Sequence, residues 1–311
     1  MKLNNIPIVD TFAEGFSMRF TRLIVTAINE KWVTEAVREV CGYGSSVIGC
    51  DAEAGLERML APEETIDGRV GASLLMFAFS TDDLKKAIAN RVGQCLMTCP
   101  TTAVFDGLNA GELQQQQISV DSFESFAADA IPVGDRLRYF GDGYQKSKMI
   151  GDRRFWRIPV MDGEFIVEDS IGVAKGVAGG NFLLLAKNQE QGLSAAEAAV
   201  NAIGHVPNVI TPFPGGVVRS GSKVGSKYKA LFASTSHSFC PTLKGAVESN
   251  LSSSANCVYE IVIDGTDFNS VAAAMKSGIK AATEHPIEQI HAGNYGGKLG
   301  KHHFHLHQIL S

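Results

Sequence analysis

The chain is poor in the features that cross-link a protein or anchor it. Its six cysteines, at 41, 50, 95, 99, 240 and 257 of 311 residues, form no C-x-x-C pair. That spacing offers neither a disulfide framework nor a zinc-ribbon site. Reduced thiols in a cytoplasmic protein are the expectation. The longest apolar run, 70–79, is too short for a membrane-spanning helix, which needs about 20 residues. The first twenty residues carry Asp10, Glu14 and Arg19 and lack the apolar core of a secretory signal. Basic blocks are also missing: Lys and Arg are dispersed in a chain of net charge −5. Neither nucleic acid nor a membrane is therefore an expected partner. No G-x-S-x-G, H-E-x-x-H or strand-following G-x-G-x-x-G occurs, so serine hydrolase, zincin and Rossmann readings find no support.

What is present is apolar mass. Hydrophobic residues make up 45% of the chain, and the mean hydropathy is +0.04. That suffices for one large or two medium domains. Periodicity predicts a strand at 19–27, a helix at 30–41 capped by Asn29, and a strand at 45–50. A strand at 74–79, a helix at 82–94 capped by Thr81 and a strand at 101–105 follow. The order β-α-β-β-α-β is ferredoxin-like. It recurs as a strand at 181–186, a helix at 194–205 with Ser194 as cap and Glu197 in the capping-box position, and a strand at 209–210. The second set closes with a strand at 257–264, a helix at 268–283 begun by Thr266 and a strand at 287–292. The expected fold is therefore α+β, with two ferredoxin-like (βαββαβ) lobes related by an internal repeat. The expected domains are 1–150 and 151–311. Between the repeats, 108–177 holds a polar run 114–117, read as a solvated loop, and β-like pieces at 155–160 and 164–167. These pieces are expected to form an extra strand layer or an oligomer contact.

The strand 257–264, C-V-Y-E-I-V-I-D, contains one misfit. Glu260 lies in an apolar run with no Lys, Arg or His within ten residues. A carboxylate in an apolar layer is costly unless paired, and its pKa is expected to rise. Such a group suits proton transfer. The plain alternative is a half-exposed strand with Glu260 facing water. Aligning 73–83 with 258–268 without a gap sets Glu260 opposite Leu75, so a packed apolar position in one half is acidic in the other.

Two glycine-rich loops are candidate binding walls. Residues 211–227 (T-P-F-P-G-G-V-V-R-S-G-S-K-V-G-S-K) combine Pro212, Phe213, Gly215, Gly216, Arg219, Ser220 and Lys223. Glycines admit a close backbone approach, and the cations suit a carboxylate or phosphate. The alternative is a mobile basic surface loop, but two prolines around Phe213 argue for rigidity. Residues 293–301 set Asn294, Tyr295, Gly296 and Gly297 directly after the last strand, more glycine than a turn needs. The tail K-H-H-F-H-L-H would put His303, His305 and His307 on one face if extended. A solvated row is expected rather than a metal site, since no carboxylate ligand stands nearby.

Several motifs belong together: D-T-F-A-E-G-F at 10–16, G-Y-G-S-S-V-I-G-C-D-A-E-A-G-L-E at 42–57, C-P-T-T-A-V-F-D-G at 99–107 and G-G-N-F at 179–182. T-P-F-P-G-G at 211–216, Y-E-I-V-I-D-G at 259–265 and A-G-N-Y-G-G-K-L-G-K at 292–301 complete the set. Together the chain resembles the formylmethanofuran:tetrahydromethanopterin N-formyltransferases over nearly its whole length. The resemblance implies two ferredoxin-like lobes per subunit and a homo-oligomer, dimer or tetramer, with the active cleft near a subunit interface. It implies transfer of a formyl group between the amine of methanofuran and N5 of tetrahydromethanopterin, both as substrates, with no tightly bound cofactor and no metal. It carries the family's catalytic glutamate onto Glu260, as acid and base around a tetrahedral intermediate. The backbone N–H groups of Gly215–Gly216 or Gly296–Gly297 are expected co-donors to the oxyanion. Arg219 and Lys223 are expected to meet acidic tails of the substrates. The modest negative charge, the insert near 140–157 and the His-rich tail favour the bacterial form, which works with hydrolase subunits. There a formyl group passes from formyl-tetrahydromethanopterin to a methanofuran analogue and leaves as formate. Two other readings are a non-catalytic formyltransferase-like scaffold subunit and a ferredoxin-like small-molecule binder.

Overall fold

A computed structural model describes residues 1–108 and 130–311; the polar run 114–117 lies outside them. The chain forms two compact units, 18–175 and 1–17 with 176–311.

In the unit 18–175 the strand β1 (Phe12–Thr26) contributes its C-terminal part, followed by α1 (Glu30–Cys41) and β2 (Glu53–Leu60). Then come β3 (Gly71–Ala78), α2 (Thr81–Arg91) and β4 (Ala103–Asp106). β5 (Lys146–Ile150), β6 (Arg153–Val160) and β7 (Gly163–Glu168) extend the same sheet, giving the order β2-β3-β1-β4-β7-β6-β5. β7 joins β4 in parallel, Ile166 opposite Ala103. The β-like pieces between the repeats therefore lengthen the sheet instead of forming a separate layer. Leu23, Val25, Leu74 and Met76 meet Val33, Ala36, Leu84 and Ile88 in one core, the helices lying on one face of the sheet.

The expected strand at 45–50 is a series of turns. Tyr43 takes φ +62°, its hydroxyl donates to the Gly49 carbonyl at 2.7 Å, and the Glu53 carboxylate accepts from the Val47 N–H at 3.1 Å. The true strand, β2, looks too charged to be one. Its Glu57 is neutralised by Arg22, which grips both carboxylate oxygens at 2.7 and 2.8 Å, so β2 can lie against β3.

In the other unit β8 (Ala174–Ala186), α3 (Gln189–Ile203), β9 (Val209–Ile210), β10 (Cys257–Gly265), α4 (Phe268–Ala282) and β11 (Gln289–His291) build a sheet of order β9-β10-β8-β11. Its core joins Phe182, Leu184, Ile261 and Ile263 to Ala196, Ala199, Met275 and Ile279. The chain ends in β12 (His302–His305) and α5 (Leu306–Leu310). β12 pairs with the start of β1, His303 opposite Glu14. That pairing draws residues 1–17 into this unit, and the β6–β7 hairpin draws residues up to 175 into the other. The contacts thus divide the chain elsewhere than at the expected 150/151.

Asn29 caps α1 as expected, accepting from the Trp32 N–H at 3.2 Å, whereas the caps of α2, α3 and α4 lie one residue before, six before and one after the expected residues. Ser80 caps α2 by accepting from the Asp83 N–H at 3.1 Å, in place of Thr81. Asn188 caps α3 through the Gln191 N–H at 2.9 Å, and Ser194 sits within the helix with its hydroxyl on His285 Nδ1 at 2.9 Å. Asp267 caps α4 at the Ser270 N–H, 2.9 Å. These caps also reset the comparison between the halves. Measured from Ser80 and Asp267, Glu260 corresponds to Ser73, two residues from Leu75 and on the same face. The counterpart is already polar: Ser73 hydrogen-bonds Glu57.

The histidine tail is folded. Phe304 is fully buried and stacks on Phe268 with centroids 4.4 Å apart. His303 and His305 pack on Phe12 at 4.9 and 5.2 Å. His307, on α5, meets the Ile8 carbonyl at 2.9 Å and Asp10 at 3.4 Å. The three rings therefore share no extended face.

Candidate active site

β10 is an inner strand, paired antiparallel with β8 and β9. Alternation sends Ile261 and Ile263 into the helix-covered core and Glu260 to the opposite face. The backbone of Glu260 bridges to Val218: Val218 N–H donates to Glu260 O at 2.8 Å, and Glu260 N–H to Val218 O at 2.9 Å. This bridge lays the segment after β9 along the edge of β10 that β9 pairs with. A cavity of about 540 Å³ results, walled by Glu260, Val218, Arg219, Ser222, Phe239 and Gly293 among others.

Burial pushes the Glu260 carboxyl up to about 7, and burial alone accounts for the rise. Tyr295 is pushed up as well, first by burial and then by the charge of Glu260; a hydrogen bond with Ser222 acts the other way. Tyr259, on the same strand, is raised by burial and eased by Arg219. Glu260, the Tyr259 phenol, the Ser222 hydroxyl and the Arg219 cation thus line one hollow, and Tyr295, outside the lining, reaches it through Ser222. That set can protonate a developing oxyanion or leaving amine and hold an anionic group at the mouth.

The expected site residues part into three groups. Arg219 and Ser220 line the cavity with Glu260. Pro212, Phe213, Gly215 and Gly216 form a turn outside its lining. Gly216, at φ +75°, presses on α3, where a Cβ would lie 2.7 Å from Val200. Its N–H is bonded to the Phe213 carbonyl at 2.7 Å. Lys223 opens a two-stranded hairpin, Lys223–Val224 with Ala233–Ser234. In the third group Asn294, Tyr295, Gly296 and Gly297 form a loop closed on its own chain. Gly296 N–H donates to Asn294 Oδ1 at 3.0 Å, and Gly297 N–H to Glu14 Oε2 at 3.0 Å. The N–H groups of Gly216, Gly296 and Gly297, expected to serve an oxyanion, are therefore already engaged.

Glu14 is the residue that sequence reasoning passed over. It is 1% exposed, and its carboxylate accepts backbone N–H groups from Tyr295, Gly297, Leu299 and Gly300. Burial alone would raise its pKa; the four donors together outweigh that and hold it below the usual carboxylate range. The signal was the same as for Glu260, one acid inside the apolar F-A-E-G-F run. Phe239 and Cys240 also line the cavity and carried no local mark of doing so, whereas Gly293, which lines it too, opens the second glycine-rich loop. Among the described residues no cluster of His, Cys, Asp and Glu is arranged to hold a metal.

Comparison with known proteins gives a consistent picture. Residues 1–160 match the family profile of formylmethanofuran-tetrahydromethanopterin formyltransferase, and residues 163–309 match the profile described as its proximal lobe. A formylmethanofuran–tetrahydromethanopterin formyltransferase of Methylobacillus flagellatus is 52% identical, with all of both chains covered. The enzyme of Methanosarcina barkeri superimposes with a TM-score of 0.89 at 43% identity, over 99% of this chain and 100% of that one. A chain of the formyltransferase/hydrolase complex of Methylorubrum extorquens, solved with methylofuran, gives 0.91 at 44% identity over 100% and 99%.

Proposed function

The chain belongs to the formylmethanofuran–tetrahydromethanopterin formyltransferase family, and from that premise we propose how its residues carry out the transfer. It is an acyltransferase of one-carbon metabolism that moves a formyl group between methanofuran and tetrahydromethanopterin. Glu260 is the acid and base of the reaction. The acceptor amine attacks the formamide carbon, and Glu260, protonated near neutrality by its burial, donates to the oxyanion or to the leaving nitrogen. It then takes back the proton released by the attacking amine. The Tyr295 hydroxyl and Ser222 are the co-donors, since the N–H groups of Gly216, Gly296 and Gly297 are engaged. Arg219, Ser220 and Lys223 meet anionic parts of the substrates, and the 212–216 turn and the 294–297 loop, outside the cavity lining, brace the segments on either side of it. Fixing two substrates in register supplies much of the acceleration. The observation that carries this reading is a carboxyl raised to about 7 in the wall of a cavity of about 540 Å³.

Two ferredoxin-like lobes are part of the proposal. The strand orders β2-β3-β1-β4 and β9-β10-β8-β11 support it, because both run second, third, first, fourth along the β-α-β-β-α-β order. The lobe boundary is proposed near 160–175, where the family profiles and the contact units both divide the chain. A cytoplasmic homo-oligomer working beside hydrolase subunits, without a tightly bound cofactor, completes the reading. The match to a chain of a formyltransferase/hydrolase complex, at a TM-score of 0.91 over the whole of this chain, supports that setting.

Glu260→Gln keeps the shape and removes the proton. It is expected to bind both substrates and to lose transfer by about 100-fold or more, the usual worth of a general acid–base group. Single-turnover transfer followed by pterin absorbance tests this, and a near-normal rate would refute the role.

A further inference from the structure

We propose that Glu14 is a positioning residue for formyl transfer: by holding the backbone of loop 295–300 through four N–H groups, it fixes Tyr295 at the edge of the Glu260 cavity, two residues beyond the wall residue Gly293. The geometry is that of an anion-binding nest whose anion belongs to the protein itself. Oε2 of Glu14 takes the Tyr295 and Gly297 donors, and Oε1 takes Leu299 at 2.8 Å and Gly300 at 2.8 Å. The loop is shaped to close on this carboxylate. Gly297 takes φ +72°, and at Gly300 a Cβ would lie 2.5 Å from the Gly15 carbonyl. The neck of the loop is pinned separately. Asn181 accepts the Gly293 N–H at 2.6 Å and donates to its carbonyl at 3.1 Å, and Asn294 donates to the Phe12 carbonyl at 3.0 Å. Gly293 is thereby held in the cavity wall. Tyr295, two residues on, rests its ring 6.1 Å from Phe16, where its phenol reaches Ser222 and feels the charge of Glu260.

Neither Glu14 nor Tyr295 is among the cavity-lining residues; Glu14 acts through the loop that leaves the wall at Gly293 and carries Tyr295 to the wall residue Ser222. The pinned neck sets where the loop leaves the wall; the Glu14 carboxylate sets where Tyr295 ends. Neutral side chains of the same size cannot serve four N–H donors at once, because the amide of glutamine would turn its own N–H₂ toward one pair of them.

This inference rests on the reading that transfer takes place in the Glu260 cavity. Its test uses the full-length enzyme with Glu14→Gln, Glu14→Asp and Glu14→Ala, read by transfer kinetics and by amide hydrogen exchange. Glu14→Gln is expected to lower kcat roughly 100-fold with KM little changed, the effect of misplacing a group by about 1 Å. The amides of Tyr295, Gly297, Leu299 and Gly300 are expected to lose protection at the same time. In Glu14→Ala added acetate is expected to restore both rate and protection, since its carboxylate fits the vacated nest. Glu14→Asp, which keeps the charge but not the reach, should fall between. It decides the matter if the other variants fail to fold: wild-type kcat with released loop amides overturns the proposal. So do loop amides that stay protected in Glu14→Gln. If Glu260→Gln transfers normally while Glu14→Gln loses protection and rate together, the role of Glu260 fails and the hold of Glu14 on the loop stands.

Discussion

Two buried acids on opposite sides of their ordinary pKa give this protein its pH behaviour. Glu260 is raised to about 7 by burial. A raised carboxyl pKa favours the neutral form in the fold, so its contribution to stability is complete below the ordinary carboxylate value and is lost as pH rises through about 7. Glu14 is lowered; its contribution is present above the ordinary value and is lost as pH falls through its folded pKa. Between about pH 5 and pH 8, thermal unfolding of the wild type should therefore lose stability relative to Glu260→Gln. Parallel curves for the two proteins would contradict a raised Glu260. Transfer that needs protonated Glu260 should likewise decline above about pH 7. Glu260 was legible in the sequence because its strand is apolar on both sides of it. Glu14 showed the same contrast, but its four donors come from the far end of the chain, and nothing local announces them.

At the scale of elements, glycines and caps decide the geometry. Gly300→Ala would drive a Cβ against the Gly15 carbonyl, and overpacking of this kind costs about 1–3 kcal/mol. Gly49, whose Cβ would meet nothing within 4 Å, should tolerate alanine within about 0.5 kcal/mol. Urea unfolding of the two variants measures the difference, and equal losses would show that loop 295–300 has slack. β2 teaches a related lesson. The sequence E-A-G-L-E-R-M-L, with Glu53 and Glu57, is not among the strands that periodicity predicts. Arg22 converts Glu57 into a buried ion pair with side chains 8% and 5% exposed. Removing one partner of such a pair costs about 3–5 kcal/mol, so Glu57→Gln should lower the unfolding midpoint sharply. The helices were legible from their apolar stripes. The first turn of α1 was legible at Asn29, but those of α2, α3 and α4 were not, because Ser80, Asn188 and Asp267 compete with nearby residues equally able to cap.

At the scale of the whole molecule, one chain segment can belong to a unit far from it in sequence. The first 17 residues join the C-terminal unit through the β1–β12 pairing, and Glu14 lies on that joint. Assembly belongs to this scale as well. Co-expressed with hydrolase subunits like those of its structural neighbour's complex, the chain is expected to co-elute with them and to pass formyl groups on to formate. Elution as a separate species with full transferase activity would place it outside such a complex. Element order, the two apolar cores and the misplaced charge of Glu260 follow from local periodicity and composition, so the sequence by itself determined them. The strand register between the halves, the engagement of the glycine N–H groups and the cavity wall around Glu260 were decided only by tertiary structure. A backbone N–H has one hydrogen to donate, and which distant acceptor takes it depends on how strands far apart in the chain are brought together.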